Sequence, residues 1–155
     1  MPIRRATKED IPAVEALLAQ ILEHHHKLRP DIFEAKGSKF TTEELTALME
    51  DDMRLVFVYE GENGEILGHL FTVIEEAKSP KKPHKTLFID DLCVDEKARG
   101  QKLGEQFYQF ALAFAKEQGC YNITLDVWEG NDGAKRFYER LGLKPQEYKL
   151  EYILD

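Results

Sequence analysis

Cysteine is scarce in this sequence, and so is tryptophan: 155 residues contain two of the first and one of the second. Cys93 and Cys120 form no CxxC pair and sit among apolar neighbours. That argues against a disulfide-stapled scaffold or a cysteine zinc knuckle and favours two buried, reduced thiols, with a nucleophilic role as the lesser alternative. No apolar run approaches the roughly 20 residues that cross a bilayer. The opening "MPIRRATKED" has basic residues with no apolar stretch behind them, so no secretory signal is expected and the cytoplasm is the expected compartment. Cations are outnumbered as well, 21 Lys+Arg against 29 Asp+Glu, for a net charge of −8. A surface of that sign repels phosphate backbones at long range, so nucleic acid is a poor candidate partner; one phosphorylated small molecule at a local basic spot is not excluded. Repeats and low-complexity segments are missing too.

What is present is an ordinary globular composition, 43% apolar and 32% charged, which fits a single domain spanning 1–155. "PIRRA" reads as a short strand. Thr7 and Asp10 then suggest a helix start, and Ile11, Val14, Leu17, Leu18, Ile21 and Leu22 recur at helical spacing to about His26. Thr41 and Glu44 form a capping-box pattern ahead of a short helix. Two β-rich runs flank Glu60–Glu65, a hairpin signal, and "TLFIDDLCV" is a further strand. Leu103, Phe107, Phe110, Ala111 and Phe114 mark a helix stopped near Gly119. "YNITLDVW" is a strand, "NDGAKRFYERLG" a helix between Asn131 and Gly142, and "EYKLEYIL" a last strand. The order is β-α-α-β-β-β-α-β-α-β, an α/β domain. Its late β-α-β unit requires a parallel crossover, hence a mixed sheet with helices on both faces.

Between "DLCVD" and the third major helix lies "ARGQKLG". The first amides of a helix lack intrahelical partners and carry partial positive charge, and glycine lets a ligand approach the backbone, so a phosphate fits there. Neither the GxxxxGK[ST] nor the GxGxxG spacing is present. Arg99-Gly100-Gln101-Lys102-Leu103-Gly104 resembles the Arg/Gln-x-x-Gly-x-Gly/Ala signature of the GNAT superfamily of acyl-CoA-dependent N-acyltransferases. "NITLDVWEGNDGAKRFYERLGLKP" resembles that family's later block, and the element order matches the whole family chain. The resemblance implies a single-domain GNAT-like fold with a mostly antiparallel central sheet of 6–7 strands. It implies acetyl-CoA as co-substrate, no metal, and transfer of the acetyl group to an amine.

By the same resemblance, the amides of Gln101, Lys102, Leu103 and Gly104 hold the diphosphate, with Arg99 and Gly100 alongside. Leu92, Cys93 and Val94 pair with the pantetheine arm where a neighbouring strand splays away. Asn131, Ala134 and Phe137 line the cofactor slot, and Tyr138 reaches the sulfur and protonates the departing thiolate. Lys102 departs from the family, standing where a glycine is usual; helical φ/ψ is the expectation for it.

An attacking amine must lose a proton, so a carboxylate is expected within reach. In strict alternation Asp90 shares a face with Leu92 and Val94, and Asp91 with Ile89 and Cys93. One of the two is expected to point into the cleft, with Glu75 as a third candidate and as part of the acceptor site. Three consecutive histidines fan around a helix rather than presenting metal-ligand spacing. His24–His26, Arg29 and Phe33 are instead candidates to wall the acceptor site, in particular His26, Arg29 and Phe33. Asp90, Asp91, Glu75 and Glu76 give a mild preference for polyamines and other cationic amines. Alternatives are a different acyl-CoA, a CoA-binding regulatory module without turnover, and an RNA-directed acetylating toxin, the last disfavoured by the net charge. Exposed strand edges and apolar helices permit a homodimer, with no interface specified.

Overall fold

Helices in this chain begin where the sequence supplies acceptors for their unpaired amides. Thr41 Oγ1 accepts from the Glu44 amide at 3.1 Å while Glu44 Oε1 accepts from the Thr41 amide at 2.9 Å, the reciprocal cap its spacing predicts. The Thr7/Asp10 pair instead frames a 3₁₀ turn, Lys8–Asp10, and the long helix starts one residue later, with Pro12 in its first turn where no amide is needed. Asn131 Oδ1 accepts from the Ala134 amide at 3.3 Å. At the other end of that helix Gly142, at φ +100°, stops it.

The computed structural model describes residues 2–154. Its elements are β1 (Ile3–Arg5), α1 (Ile11–Leu28), α2 (Thr42–Leu48), β2 (Val56–Glu60), β3 (Ile66–Ala77), β4 (His84–Val94), α3 (Leu103–Glu117), β5 (Asn122–Leu125) and α4 (Asp132–Arg140). The sheet runs β1-β2-β3-β4-β5. Pairing is antiparallel through β4, and β5 joins β4 in parallel after the α3 crossover.

Each face of the sheet carries its own core. Val14, Leu18 and Leu45 from α1 and α2 pack on Val56, Val58 and Phe71. Phe107, Tyr108 and Ala111 from α3 pack on Phe57, Leu70, Leu87 and Ile89. Burial of such side chains is worth roughly 1.5–3 kcal/mol apiece and is the main term holding the layers together. Gly68 lets α3 close on the sheet: a Cβ there would lie 2.7 Å from the Cys93 carbonyl oxygen and 2.8 Å from the Phe107 ring.

The expected 6–7 strands reduce to five among the described residues, because "EYKLEYIL" joins no ladder. The chain leaves α4 at Leu143, whose amide donates to the Tyr138 carbonyl at 3.1 Å. It then runs past the end of α1, where Arg29 pairs with Glu151, rather than alongside β5.

Candidate active site

Beyond Ile89 and Leu125 the β4–β5 ladder stops, although β4 continues to Val94. On its other side β4 stays paired with β3 to its end, apart from one bulge, with Leu70 opposite Leu92, His69 opposite Cys93 and Gly68 opposite Val94. One flank of Leu92–Val94 is therefore opened by a fork in the sheet, leaving backbone groups that an amide-bearing ligand can satisfy. The fork leads to the loop at the start of α3. Gln106 donates to the Lys102 carbonyl at 3.1 Å, so the amides of Leu103, Gly104 and Glu105 precede the first helical bond and are free for an anion.

Lys102 is not helical. Its φ of 61° and ψ of 28° are left-handed, the conformation that favours the glycine usual at this place, so the expectation of helical φ/ψ is corrected. Gly100 is also left-handed, at φ +88°. Gly104 serves packing instead: a Cβ there would meet the Phe137 ring at 3.1 Å. That contact lays α4 across the start of α3. Phe137 in turn stacks edge-on to Tyr138, with centroids 5.0 Å apart. Asn131 and Ala134 are bound to one another as the cap of α4 and are half-buried. A surface hollow of about 640 Å³ between α3 and β1 shares only Gln101 and Lys102 with the predicted cofactor residues, so its volume does not mark the site.

The two aspartates part company through a β-bulge. Phe71 lies opposite Asp91 and Thr72 opposite Ile89, leaving Asp90 as the extra residue. Strict alternation is thereby broken. Leu87, Ile89, Leu92 and Val94 all contact the α3 core, while the buried Cys93 thiol donates to the Leu17 carbonyl of α1 at 3.5 Å. Asp90 is held by Lys39 Nζ at 3.0 Å. Asp91 is buried, with Oδ2 3.4 Å from His69 Nε2, yet neither atom has an aligned hydrogen-bond partner. Its charge reaches His25, Cys93 and Tyr138.

Burial, and secondarily the nearby Asp91 charge, pushes the Tyr138 phenol up to about 12. The same causes push the Cys93 thiol up to about 12. Desolvation lowers the His25 pKa, partly opposed by Asp91. Of the three consecutive histidines, His24 is exposed, His26 donates from Nδ1 to the Phe33 carbonyl at 2.8 Å, and His25 faces the Phe33 ring at 4.9 Å. Phe33 packs edge-on against Trp128 at 5.3 Å, and Arg29 lies 6.0 Å over that indole. Glu75 belongs elsewhere: it is exposed and lies opposite Thr86, at the far end of the β3–β4 hairpin. With Glu76 beside it there and Asp90 paired to Lys39, the acidic-cleft argument for polyamines falls away.

A family model described as the acetyltransferase (GNAT) family matches residues 18–143. The chain belongs to the GNAT family. It is an acetyl-CoA-dependent N-acetyltransferase, and it is similar in structure to a variant of the BH1408 protein of Bacillus halodurans, at 31% identity and a TM-score of 0.94 over 99% of both chains. It is 29% identical to the glucosamine 6-phosphate N-acetyltransferase of Arabidopsis thaliana over 67% of this chain and 68% of that one. An uncharacterized N-acetyltransferase of Bacillus subtilis, YhfO, is 26% identical over 100% of this chain and 97% of its own. GNAT membership implies acetyl-CoA as co-substrate and an amine as acceptor. No helix among the described residues is long and apolar enough to cross a membrane. Two residues near these groups were not singled out from the sequence, and a third only in part. The two are His69, buried beside Asp91, and Trp128, packed on Phe33, neither of which belongs to a local motif. His25 was legible only as one of a fan, because which of three consecutive histidines turns inward depends on the helix's docking.

Proposed function

We propose that this acetyltransferase works by direct attack of a primary amine on the thioester within a ternary complex, with Asp91 as proton acceptor and Tyr138 as proton donor. The observation that carries the reading is the fork between β4 and β5, flanked by free helix-start amides and by the buried Asp91. Bound acetyl-CoA would supply an activated acyl carbonyl and a thiolate leaving group. The amides of Leu103–Glu105 orient its diphosphate, and Leu92–Val94 give its arm a strand to pair with. Asp91 takes the ammonium proton, directly or through water, and Asp90 is tied to Lys39. His25, its pKa lowered by desolvation, is neutral at neutral pH and able to relay that proton. Tyr138 stays a protonated phenol across the working range and so can donate to sulfur. Cys93 is a poor candidate for an acyl-enzyme, since a buried thiol raised to about 12 offers little thiolate.

The test is thiol release from acetyl-CoA across an amine panel, with mass spectrometry of the acetylated product. Tyr138→Phe is expected to lower kcat about 10- to 100-fold with acetyl-CoA affinity unchanged. Accumulation of an acetylated protein in the absence of amine would overturn direct attack.

A further inference from the structure

Among the buried side chains, His69 has the least apparent reason to be polar. It lies on β3, the middle strand of the sheet, between Val58 of β2 and Cys93 of β4, and is 0% exposed. Alternation sets it on the same side as Phe71, whose ring is 4.7 Å away, and so within the core that α1 and α2 cover. Neither of its ring nitrogens has a hydrogen-bond partner. A buried imidazole in that state costs free energy that an apolar side chain of similar size would not. Packing alone gives no reason for a histidine here.

A neighbouring orphan supplies the reason. Asp91 Oδ2 is also buried and unpartnered, and it lies 3.4 Å from His69 Nε2. Each group faces the partner it lacks. Both side chains end in broad sp² torsions, so a small rotation of either aligns the bond. Nδ1 has no acceptor, which places the single proton of the neutral ring on Nε2, where it can be donated. The other titratable groups around Asp91 come from separate elements: His25 from α1, Tyr138 from α4 and Cys93 on β4 itself, with Lys39 paired to Asp90. Among the described residues none of them bonds Oδ2.

We infer that His69 is a positioning residue for the base: its Nε2–H binds Asp91 Oδ2, fixes the carboxylate plane and leaves Oδ1 to take the proton of the acceptor ammonium. This rests on the reading of Asp91 as proton acceptor. In that step an N–H bond of the ammonium breaks, an O–H bond forms at Oδ1, and the freed electron pair on nitrogen attacks the thioester. His69 keeps its own proton throughout. Being fully enclosed, it touches neither substrate nor cofactor and acts only through Asp91. A donor to the charged carboxylate also favours the ionised form, so the bond keeps the base ready at lower pH.

The test is thiol release from acetyl-CoA with the best acceptor of an amine panel, in the parent, His69→Leu, His69→Gln, Asp91→Asn and the His69→Leu/Asp91→Asn pair. His69→Leu should lower kcat at least about 10-fold with the KM for acetyl-CoA unchanged. Its acidic limb of kcat/KM should move to higher pH by about one unit. His69→Gln, whose amide offers a donor near the position of Nε2, should recover most of both losses. In the Asp91→Asn background His69→Leu should change kcat less than about twofold, whereas damage to the fold would add in either background. Nitrogen NMR of histidine-labelled native protein should show His69, assigned by its absence from His69→Gln, as the Nε2–H tautomer. A parental kcat and pH profile in His69→Leu overturns the inference, and so do equal losses in the two backgrounds or an Nδ1–H tautomer; a large loss in Asp91→Asn then leaves the base reading standing. A parental rate in Asp91→Asn removes that reading and this inference with it. If His69→Leu does not fold, the tautomer in the native protein still decides.

Discussion

Replacing Lys102 with glycine should make the protein more stable, although it removes a side chain and adds none. Lys102 sits at φ 61° and ψ 28°, immediately ahead of α3. For a residue with a Cβ this left-handed conformation costs about 1–2 kcal/mol, a cost glycine escapes. Glycine adds freedom to the unfolded chain, which takes back about 0.5–1 kcal/mol. The balance is a gain of about 0.5–1 kcal/mol, or about 2–3 °C in Tm for a domain of this size. Lys102→Ala separates backbone from charge. Alanine keeps the Cβ and therefore the strain, so its Tm should stay within about 1 °C of the parent. Scanning calorimetry on the three proteins gives the comparison. A loss of stability in Lys102→Gly, or equal shifts in the two variants, would refute the assignment of strain to the backbone. Titration calorimetry with acetyl-CoA then reads the side chain alone. If the ammonium meets a phosphate, both variants lose affinity and both lose part of its salt dependence.

Gly68→Ala should destabilise the fold by about 1–3 kcal/mol, measured by urea denaturation, because its methyl would press on the Cys93 carbonyl and Phe107, and neither can swing aside. Asp10→Ala removes the acceptor of two Arg4 bonds, 2.8 and 3.0 Å, and of the Thr7 amide at 2.7 Å. Arg4 is partly exposed, so the expected loss is about 1.5 kcal/mol, or about 4 °C in Tm. Arg4 holds the Asp10 carboxyl below its ordinary range, so the stabilisation is fully present above that range and fades as pH falls through the depressed folded value. The parent and Asp10→Ala should accordingly converge in Tm under acid. For the reaction, a Tyr138 phenol raised to about 12 predicts a kcat that does not decline between roughly pH 8 and pH 10. A descending limb in that interval, absent from Tyr138→Phe, would show a more acidic phenol than the buried site allows.

Local periodicity made most of the fold legible. The Thr41–Glu44 cap, the α1 and α3 stripes and the β2–β3 hairpin all depend on neighbours within a few residues, and each lies where its pattern put it. The loop at Arg99–Gly104 was legible for a similar reason, because free amides and a glycine before a helix are a local requirement. What escaped depended on distant partners. Glu75 looked like a cleft residue until the register set it opposite Thr86. His69 is enclosed beside Asp91, on a neighbouring strand 22 positions away in sequence, and nothing adjacent to it announces that pairing. The φ of Lys102 follows from the path the chain takes between β4 and α3, which the residue itself does not favour. "EYKLEYIL" has the alternation of a strand but forms none among the described residues, because a strand also needs a partner edge that no local pattern supplies.

The bulge at Asp90 joins fold to chemistry. A sheet that alternated strictly through "FIDDLCV" would turn Ile89 and Asp91 to the same side and so set a carboxylate among the aliphatic side chains beneath α3. Such burial of a charge without a partner costs several kcal/mol. One inserted residue resolves the conflict, because Ile89 and Leu92 both reach the α3 core while Asp91 turns to the α1 side, where His69 lies within 3.4 Å. The inserted residue is itself an aspartate, and Lys39 holds it. Two adjacent acids thus acquire different surroundings from one irregularity. One is neutralised by a lysine at the rim; the other is enclosed beside imidazole and phenol groups, at the point where β5 leaves the sheet. The unpaired oxygen of the enclosed carboxylate is the geometric reason for preferring Asp91 to its lysine-bound neighbour as the base in the reaction proposed above.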